Sequence, residues 1–586
     1  MKRILAFVLA FSMMLTACGS ESSGYKAGTY TSTVDGHNAP ITVEVTFTDS
    51  AIETVVVKEH SETPGLSDPA LERVPADIVK YQSLAVDTVA GATVTSNAVI
   101  AAVEDAATQA GGDIAALKAE IKKDEVAKTE KEVTTDVLVV GSGISGMSAA
   151  ISAANAGADV IVIEKMPVTG GTSAIAGGFL ISVESAMETE GVDDSLATFR
   201  NYWEGRMAVS GVESGYPDYD RWEDVISLTG PTADWLIEEG VGFTPQLMQV
   251  FGPYPIVMHP NGGRGMIDDM VKVAQDKGAQ VVTECKANEL IIEDGAVVGV
   301  KAETAAEIIT YKAKSVVLAT GGFSANDEMV KKYSPNVANA MTISTAAAGS
   351  TGDGMTMAID AGAKVFEKAF TSICATTIDP EFAAVADVSA FTDGTQLGVD
   401  ADGVRIGNEL VGLNDRDALG SAMIQAENPP YWFIYDSSNA ALVAEMEKGV
   451  AAGVVAKGET IEELAKAMGT DVDTFTKTYT DYTGFVANGE DTQFGKPADA
   501  LLPIETAPYY AVKYYPTTFG SQGGVETTLE GAVLNTEGEV IPGLYAVGEM
   551  SNRYYYNENY VLAASLGIYA TAGNLCGTAA GTYAIG

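Results

Sequence analysis

Positive charge is scarce in this sequence. Lysine and arginine together number 35 against 79 aspartates and glutamates, a formal net charge of −44. That balance excludes an ordinary nucleic-acid binder, which needs basic surface to neutralise phosphates. Most of these carboxylates read as a solvated acidic exterior. Cysteine and histidine are scarcer still, at four and three. After Cys18, the spacing of Cys285, Cys374 and Cys576 matches no metal site, and no Cys-x-x-Cys-His occurs, which excludes c-type haem. His37, His60 and His259 are too dispersed for a metal centre. Beyond the first twenty residues no apolar run reaches the length of a membrane-spanning helix. The 586 residues exceed what one core organises, so several domains are expected.

The N-terminus has a character of its own. Lys2 and Arg3 precede the apolar run Ile4 to Met14, which is too short to span a bilayer. Leu15-Thr16-Ala17-Cys18 then resembles a bacterial lipoprotein cleavage box. The resemblance implies a signal peptide over 1–17, a diacylated Cys18 and a tether over 18–24. Two acyl chains hold a protein stably on a membrane where one does not. The chain is therefore expected at the extracytoplasmic face of the cell membrane, anchored at Cys18.

A small domain follows over 25–112. Ile41 to Phe47 alternates apolar with polar residues, as a half-buried strand does, and Asp49-Ser50 turns into a second strand, Ile52 to Val57. An Ala-rich helix is expected from Ser96 to Ala110, beginning near Thr95. Ile114 to Lys131 is rich in Ala, Lys and Glu, so 113–133 reads as a helical linker.

From Thr134 the pattern changes. Asp136 to Val140 is a continuous apolar strand, then come Gly141-Ser142-Gly143-Ile144-Ser145-Gly146 and an Ala-rich helix to Ala156. A second strand, Asp159 to Ile163, ends at Glu164. This is the βαβ dinucleotide fingerprint in full context. Gly141 permits the tight turn, Gly143 lets backbone approach pyrophosphate, Gly146 lets helix pack on strand, and Glu164 is placed for ribose hydroxyls. The fingerprint alone does not separate FAD from NAD.

Later segments favour FAD. Ser315 to Gly322 and Gly543 to Glu549 are apolar strands running into glycine turns, and both resemble segments of two-dinucleotide-binding-domain flavoproteins. Gly170-Gly171-Thr172-Ser173 with Gly177-Gly178 resembles a loop that passes near the isoalloxazine in the fumarate reductase and succinate dehydrogenase superfamily. The resemblance implies an α/β core over 134–365 and 520–586 with an inserted α+β capping domain over 366–519. It places FAD against Ser145, Lys165, Ala319, Thr320, Gly321, Asp353, Gly548, Glu549, Ser565 and Leu566 as well as the glycine loops.

The small domain carries Ala90-Gly91-Ala92-Thr93 within Asp87 to Ser96, preceded by Glu62-Thr63-Pro64-Gly65. These are similar to the FMN-binding domain of bacterial extracellular reductases, in which a flavin transferase joins FMN phosphate to a threonine. The family core begins with Ser, and here Ala90 stands instead. The resemblance implies covalent FMN at Thr93. Small Gly91 and Ala92 leave room for a phosphodiester beside a helix start.

In the cap, Gly403-Val404-Arg405-Ile406-Gly407-Asn408-Glu409, followed by Asn414-Asp415-Arg416-Asp417, resembles the fumarate reductase run that leads to a proton-donating arginine. Arg416 is its counterpart. Guanidinium hardly deprotonates, so a carboxylate must restore its proton at once, and Asp415, Asp417 and Glu409 are the candidates. Thr392 and Asp393 stand roughly where the family has a proton-relay Glu and Arg. The dicarboxylate clamps are missing: Thr371 to Thr376 holds no histidine, Gly520 replaces another before Ser521, and Tyr560 stands at the last arginine. Asn552-Arg553-Tyr554-Tyr555-Tyr556 precedes it, offering aromatic faces for a planar substrate and Arg553 for a carboxylate.

These readings converge on a flavoprotein with a C=C reductase activity, relaying electrons from a membrane donor through FMN and FAD to an α,β-unsaturated, aryl-substituted acid in anaerobic respiration. Two alternatives stay open. One is an enone or ketosteroid-type oxidoreductase, for which Tyr560 lies close to a tyrosine that polarises a ketone. The other is an electron-transfer or binding lipoprotein without reductase activity.

Overall fold

The computed structural model describes residues 24–63, 65–121, 127–208, 215–250, 252–367, 370–391, 396–409, 416–557 and 559–586, with the side chains of 370–375, 416–418 and 421 set aside. Residues 1–23, with Cys18 and the signal peptide, lie outside this description. So do Pro64 and the segments holding Thr392, Asp393, Asn414 and Asp415. The chain divides into two compact units near residue 125.

The first unit is a three-stranded antiparallel meander, Gly28–Asp35, Pro40–Phe47 and Ile52–Glu59. Alternation along the central strand sends Ile41, Val43, Val45 and Phe47 into a core closed by two helices, Asp68–Tyr81 and Thr93–Gln109. The second helix starts at Thr93, two to three residues earlier than expected, because Ala92, with no capping side chain, stands at its N-cap. Among the described residues of the expected helical linker, only Ile114–Leu117 is helical, and a strand runs from Thr129 to Val140. The charged residues there alternate on a strand edge, where Thr129 to Thr135 pair with Glu307 to Ala313.

The second unit is built on an eight-stranded sheet. Its centre is five parallel strands in the order Val540–Ala546, Glu307–Leu318, Thr129–Val140, Val160–Ile163 and Gln280–Val282. Near-continuous apolar runs such as Val160–Ile163, buried throughout, suit a sheet covered on both faces. The helices Ile144–Asn155 and Ala564–Ile585 cover one face together. Their close crossing depends on small residues: a Cβ on Gly573 would lie 2.3 Å from the Ser145 carbonyl, and one on Gly577 2.1 Å from that of Ala149. Hence the last helix is poor in large residues at every fourth position.

A second sheet of six strands centres on the long strand Tyr509–Gln522. It pairs with Ile343–Ser344, Phe370–Ile378, Tyr431–Tyr435 and Ala456–Gly458, and Tyr431–Tyr435 pairs with Leu397–Val399. This sheet therefore reaches both before 366 and past 519. The helix Arg416–Ala426 packs on Phe370–Ile378 and Tyr509–Gln522. Among the described residues, no helix is long and apolar enough to cross a membrane.

Candidate active site

The carboxyl ends of the parallel strands meet at a cavity. Its walls include Gly141, Gly143, Ser145, Glu164, Lys165, Gly170, Gly171, Thr172, Ser173, Ala319, Thr320, Gly321, Asp353 and Glu549, all expected from sequence. A crevice outside the strand ends is where open α/β sheets bind ligands. Gly141 turns the chain so tightly that a Cβ there would lie 2.3 Å from the Ala319 carbonyl. Gly143 is different: its nearest protein atom would be Ser173 Oγ at 3.6 Å, so a side chain would project into the cavity instead. It is also the N-cap of the helix Ile144–Asn155 and offers no side-chain cap. Open backbone at a helix N-terminus is an anion site.

Glu164 holds the turn together. Its carboxylate accepts from Ser142 N and Oγ at 3.1 and 2.7 Å and from Met166 N at 2.9 Å, and Ser142 Oγ accepts from Gly170 N. Lys165 donates to Asp353 and Thr351, both at 2.6 Å, and so ties the helix start at Asp353 to the rim. These residues fit FAD.

Gly146 is a packing position, as its place in the fingerprint requires: a Cβ there would strike the Gly141 carbonyl. Two other expected contacts are packing positions instead, since a Cβ on Gly178 would strike the backbone of Gly262 and one on Gly548 the Ser145 side chain. The sequence reading missed Cys285, Lys286 and Ala287, which also line the cavity. They follow the parallel strand Gln280–Val282, and the strand-end rule applied to that strand would have found them.

A second cavity shares Thr172, Ser173, Glu549 and Tyr569 with the first. Ile175, Phe179, Phe519, Tyr560, Leu562 and Leu566 supply its apolar and aromatic walls, with Gly177, Gly520 and Ser565. Glu549 stands where the two join. Burial pushes its carboxyl up to about 7 against the hydrogen bonds it accepts from Ser521 and Gly322. A Cβ on Gly520 would lie 2.5 Å from that carboxyl, so Glu549 fills the room beside Gly520. Ser521 lines neither cavity; its N–H donates to Glu549 and its hydroxyl accepts from Phe323 N.

The tyrosine run corrects the expectation made for it. Only Tyr560 faces the second cavity. Arg553 is fully buried, donates to the carbonyls of Tyr556 and Asn557 at 2.8 and 2.7 Å and sits 4.9 Å from the Tyr216 ring centre. It closes its own loop and lines neither cavity. Tyr554 packs under Arg221, 3.7 Å from its ring centre, and donates to the Thr527 carbonyl. Tyr555 and Tyr556 are buried, the latter 2.9 Å from Ser565 Oγ. A loop this aromatic supplies its own core.

Glu409 is corrected too. Its side chain is inaccessible to solvent and joined to Arg405 at 2.8 and 2.9 Å and to Lys496 at 3.1 Å. Both oxygens are engaged away from the cavities. Arg416 is the first residue of its helix, with Asp417 next, and their side chains are outside the description.

In the first unit, Thr93 is exposed at the start of a 17-residue helix, after Gly91 at φ +83°. Buried Glu62 accepts from His37 N, Asn38 N and the Thr95 hydroxyl and so fixes this turn. An exposed hydroxyl at an uncapped helix N-terminus fits a flavin phosphate.

Residues 136–564, well over half the chain, match the family described as FAD binding domain. The chain belongs to that family. Residues 36–108 of this FAD-binding flavoprotein match the FMN-binding domain. It is 32% identical to the urocanate reductase of Eggerthella lenta over 92% of this chain and 89% of that one. It is 29% identical to the NADH:acrylate oxidoreductase of Vibrio harveyi over 95% of this chain, and it spans 61% of that relative's length. Among solved structures, the open conformation of a flavocytochrome c3 fumarate reductase superposes with a TM-score of 0.56 at 29% identity, covering 77% of this chain and 79% of the other. The flavoprotein is thus an FAD-dependent oxidoreductase of the fumarate reductase-like family, with an FMN-binding domain ahead of the FAD unit.

Proposed function

We propose that this flavoprotein reduces the activated C=C bond of an α,β-unsaturated, aryl-substituted carboxylic acid. The observation that carries this reading is the second cavity, which opens off the FAD cavity and is walled by Phe179, Phe519 and Tyr560. Aromatic and apolar walls favour a flat ring, and Gly520 leaves no histidine for a second carboxylate. When bound, FMN and FAD supply the electron relay, and FAD the hydride for one carbon of the double bond. Arg416 gives the proton to the other carbon. Its place at a helix start supports this role, because the positive end of the helix disfavours one more cation and eases release of its proton. Asp417, adjacent in sequence, is the candidate to restore it. The relatives named for urocanate and acrylate support the reaction class.

The reading extends to location and partners. FMN is joined through its phosphate to Thr93 by a flavin transferase. Cys18 carries the lipid, and the protein works on the extracytoplasmic face of the membrane in anaerobic respiration, fed by a membrane electron donor.

Stopped-flow reoxidation of the dye-reduced enzyme by a panel of enoates is the test. Arylacrylates are expected to reoxidise it at least tenfold faster than fumarate, and Arg416→Lys to lower the rate about 100-fold or more, the usual weight of a lost general acid. Reoxidation by fumarate alone overturns the proposal. Tyr560 in the cavity wall favours a second reading, an enone reductase whose tyrosine polarises the ketone. It predicts full activity for Arg416→Lys and loss for Tyr560→Phe.

A further inference from the structure

The aromatic residues behind the second cavity form a line. Tyr560, in the cavity wall, stacks on Tyr556 with ring centres 5.6 Å apart. Tyr556 lies 5.2 Å from Trp203, Trp203 lies 5.4 Å from Trp222, and Trp222 lies 6.1 Å from Tyr219. Tyr219 is half-buried, with the Arg200 guanidinium 4.5 Å from its ring centre. Every member of the line is a tyrosine or a tryptophan, the two side chains most easily oxidised by one electron, and no gap is wider than a direct ring contact.

Two further observations go beyond packing. Trp203 and Trp222 are both fully buried, yet neither indole N–H has a hydrogen-bond partner among the described residues. Buried indoles usually find a partner, and an orphan in a native interior calls for a reason, a redox role among them. An indole that has lost an electron and has no acceptor for its N–H proton keeps that proton, so the electron vacancy stays free to move on. Tyr219, at the outer end, is half-buried, so a proton it loses can pass to water, while inside the line the Tyr556 hydroxyl is 2.9 Å from Ser565 Oγ.

We infer that Tyr560, Tyr556, Trp203, Trp222 and Tyr219 form a hopping chain that carries oxidising equivalents from the second cavity to the protein surface. The inference rests on FAD occupying the adjoining cavity. The reagent is superoxide, formed when dioxygen takes one electron from a reduced flavin. It gains one electron from Tyr560 and two protons from water and leaves as hydrogen peroxide, and the electron lost by Tyr560 is replaced in turn from Tyr556, Trp203, Trp222 and Tyr219. At Tyr219 the phenolic O–H bond breaks, its proton passes to water, and an external one-electron reductant of the thiol class restores the phenol. The substrate cavity is thereby spared oxidation of its own wall.

Flash photolysis of the oxidised holoenzyme tests this without dioxygen, since excited flavin is itself a one-electron oxidant. The wild-type protein is expected to show a tyrosyl or tryptophanyl radical living at least ten times longer than in Trp203→Phe, where the line is cut. Light absorbed by FMN contributes equally to both proteins. Equal decays in the two proteins, or no radical in the wild type with FAD verified by absorbance, overturn the chain. A wild type that binds no FAD overturns instead the cofactor assignment on which it rests. If Trp203→Phe loses its near-ultraviolet dichroism, Tyr219→Phe at the half-buried end replaces it. There the tyrosyl signal is expected to vanish and the tryptophanyl signal to decay at least threefold faster, and a trace identical to the wild type overturns the inference.

Discussion

Glu549 shows how much one residue's surroundings decide. In sequence it ends a strand and a glycine turn; in space it joins both cavities and fills the room left by Gly520. Burial raises its carboxyl from the usual 4.5 to about 7. A raised folded value means that between those two points the native state holds a proton that the unfolded chain has lost. The stability Glu549 contributes is thus full below about pH 4.5, falls as pH rises and is gone above about 7. Glu549→Gln, always neutral, removes that slope. In flavin-free protein the variant is expected to gain on the wild type by up to about 3 kcal/mol between pH 4.5 and pH 8, read from urea unfolding at each pH.

At the scale of elements, the buried ion cluster of the second sheet stands out. Arg405 pairs with Glu409 and Asp491, Lys496 pairs with Glu409, and all four side chains are almost wholly out of solvent. Two positive and two negative charges balance, and the Gly398 N–H completes the Glu409 shell. Burial works against ionisation of Asp491, yet Arg405 and three backbone N–H groups pull its carboxyl down to about 2. The stability it contributes is therefore present above 3.8 and lost as pH falls toward 2. Glu409→Gln leaves Arg405 and Lys496 without their shared partner, and breaking a buried pair in this way costs about 3–5 kcal/mol. Thermal unfolding of the FAD unit is expected to shift down accordingly, with Leu397–Val399 and the turn after Arg405 the first to exchange amide protons. The run that in sequence points to catalysis is, up to Glu409, an anchor for the chain that enters the Arg416 helix.

On the scale of the whole molecule, two units with separate cores carry two flavin-binding domains. Thr93 is exposed and takes no part in the core of its unit, so Thr93→Val is expected to leave folding intact. After coexpression with a flavin transferase, the intact mass of the wild type is expected to exceed that of the variant by one FMN less water. The variant should keep its FAD absorbance and its dye-driven reduction of enoates while losing turnover with the membrane donor. Equal masses, with the transferase shown active on another substrate, refute the attachment.

What was legible in the sequence was whatever is encoded locally. Gly141, Gly143, Gly146 and Glu164 announce a dinucleotide turn because strand, turn and helix lie within some thirty residues, each with its own periodicity and backbone demand. The strand edge at Thr129 to Thr135 was hidden because its hydrogen bonds go to Glu307 to Ala313, and its charged composition suits a helix equally well. The fates of Arg553 and Glu409 were likewise beyond local reading. A charged side chain in a motif looks the same whether it meets a substrate or a buried partner, and only the packing of distant segments decides which. The sequence by itself thus determined the cofactor-binding core and the FMN domain. The tertiary structure decided which of those polar residues face a cavity, because facing is a property of long-range contacts.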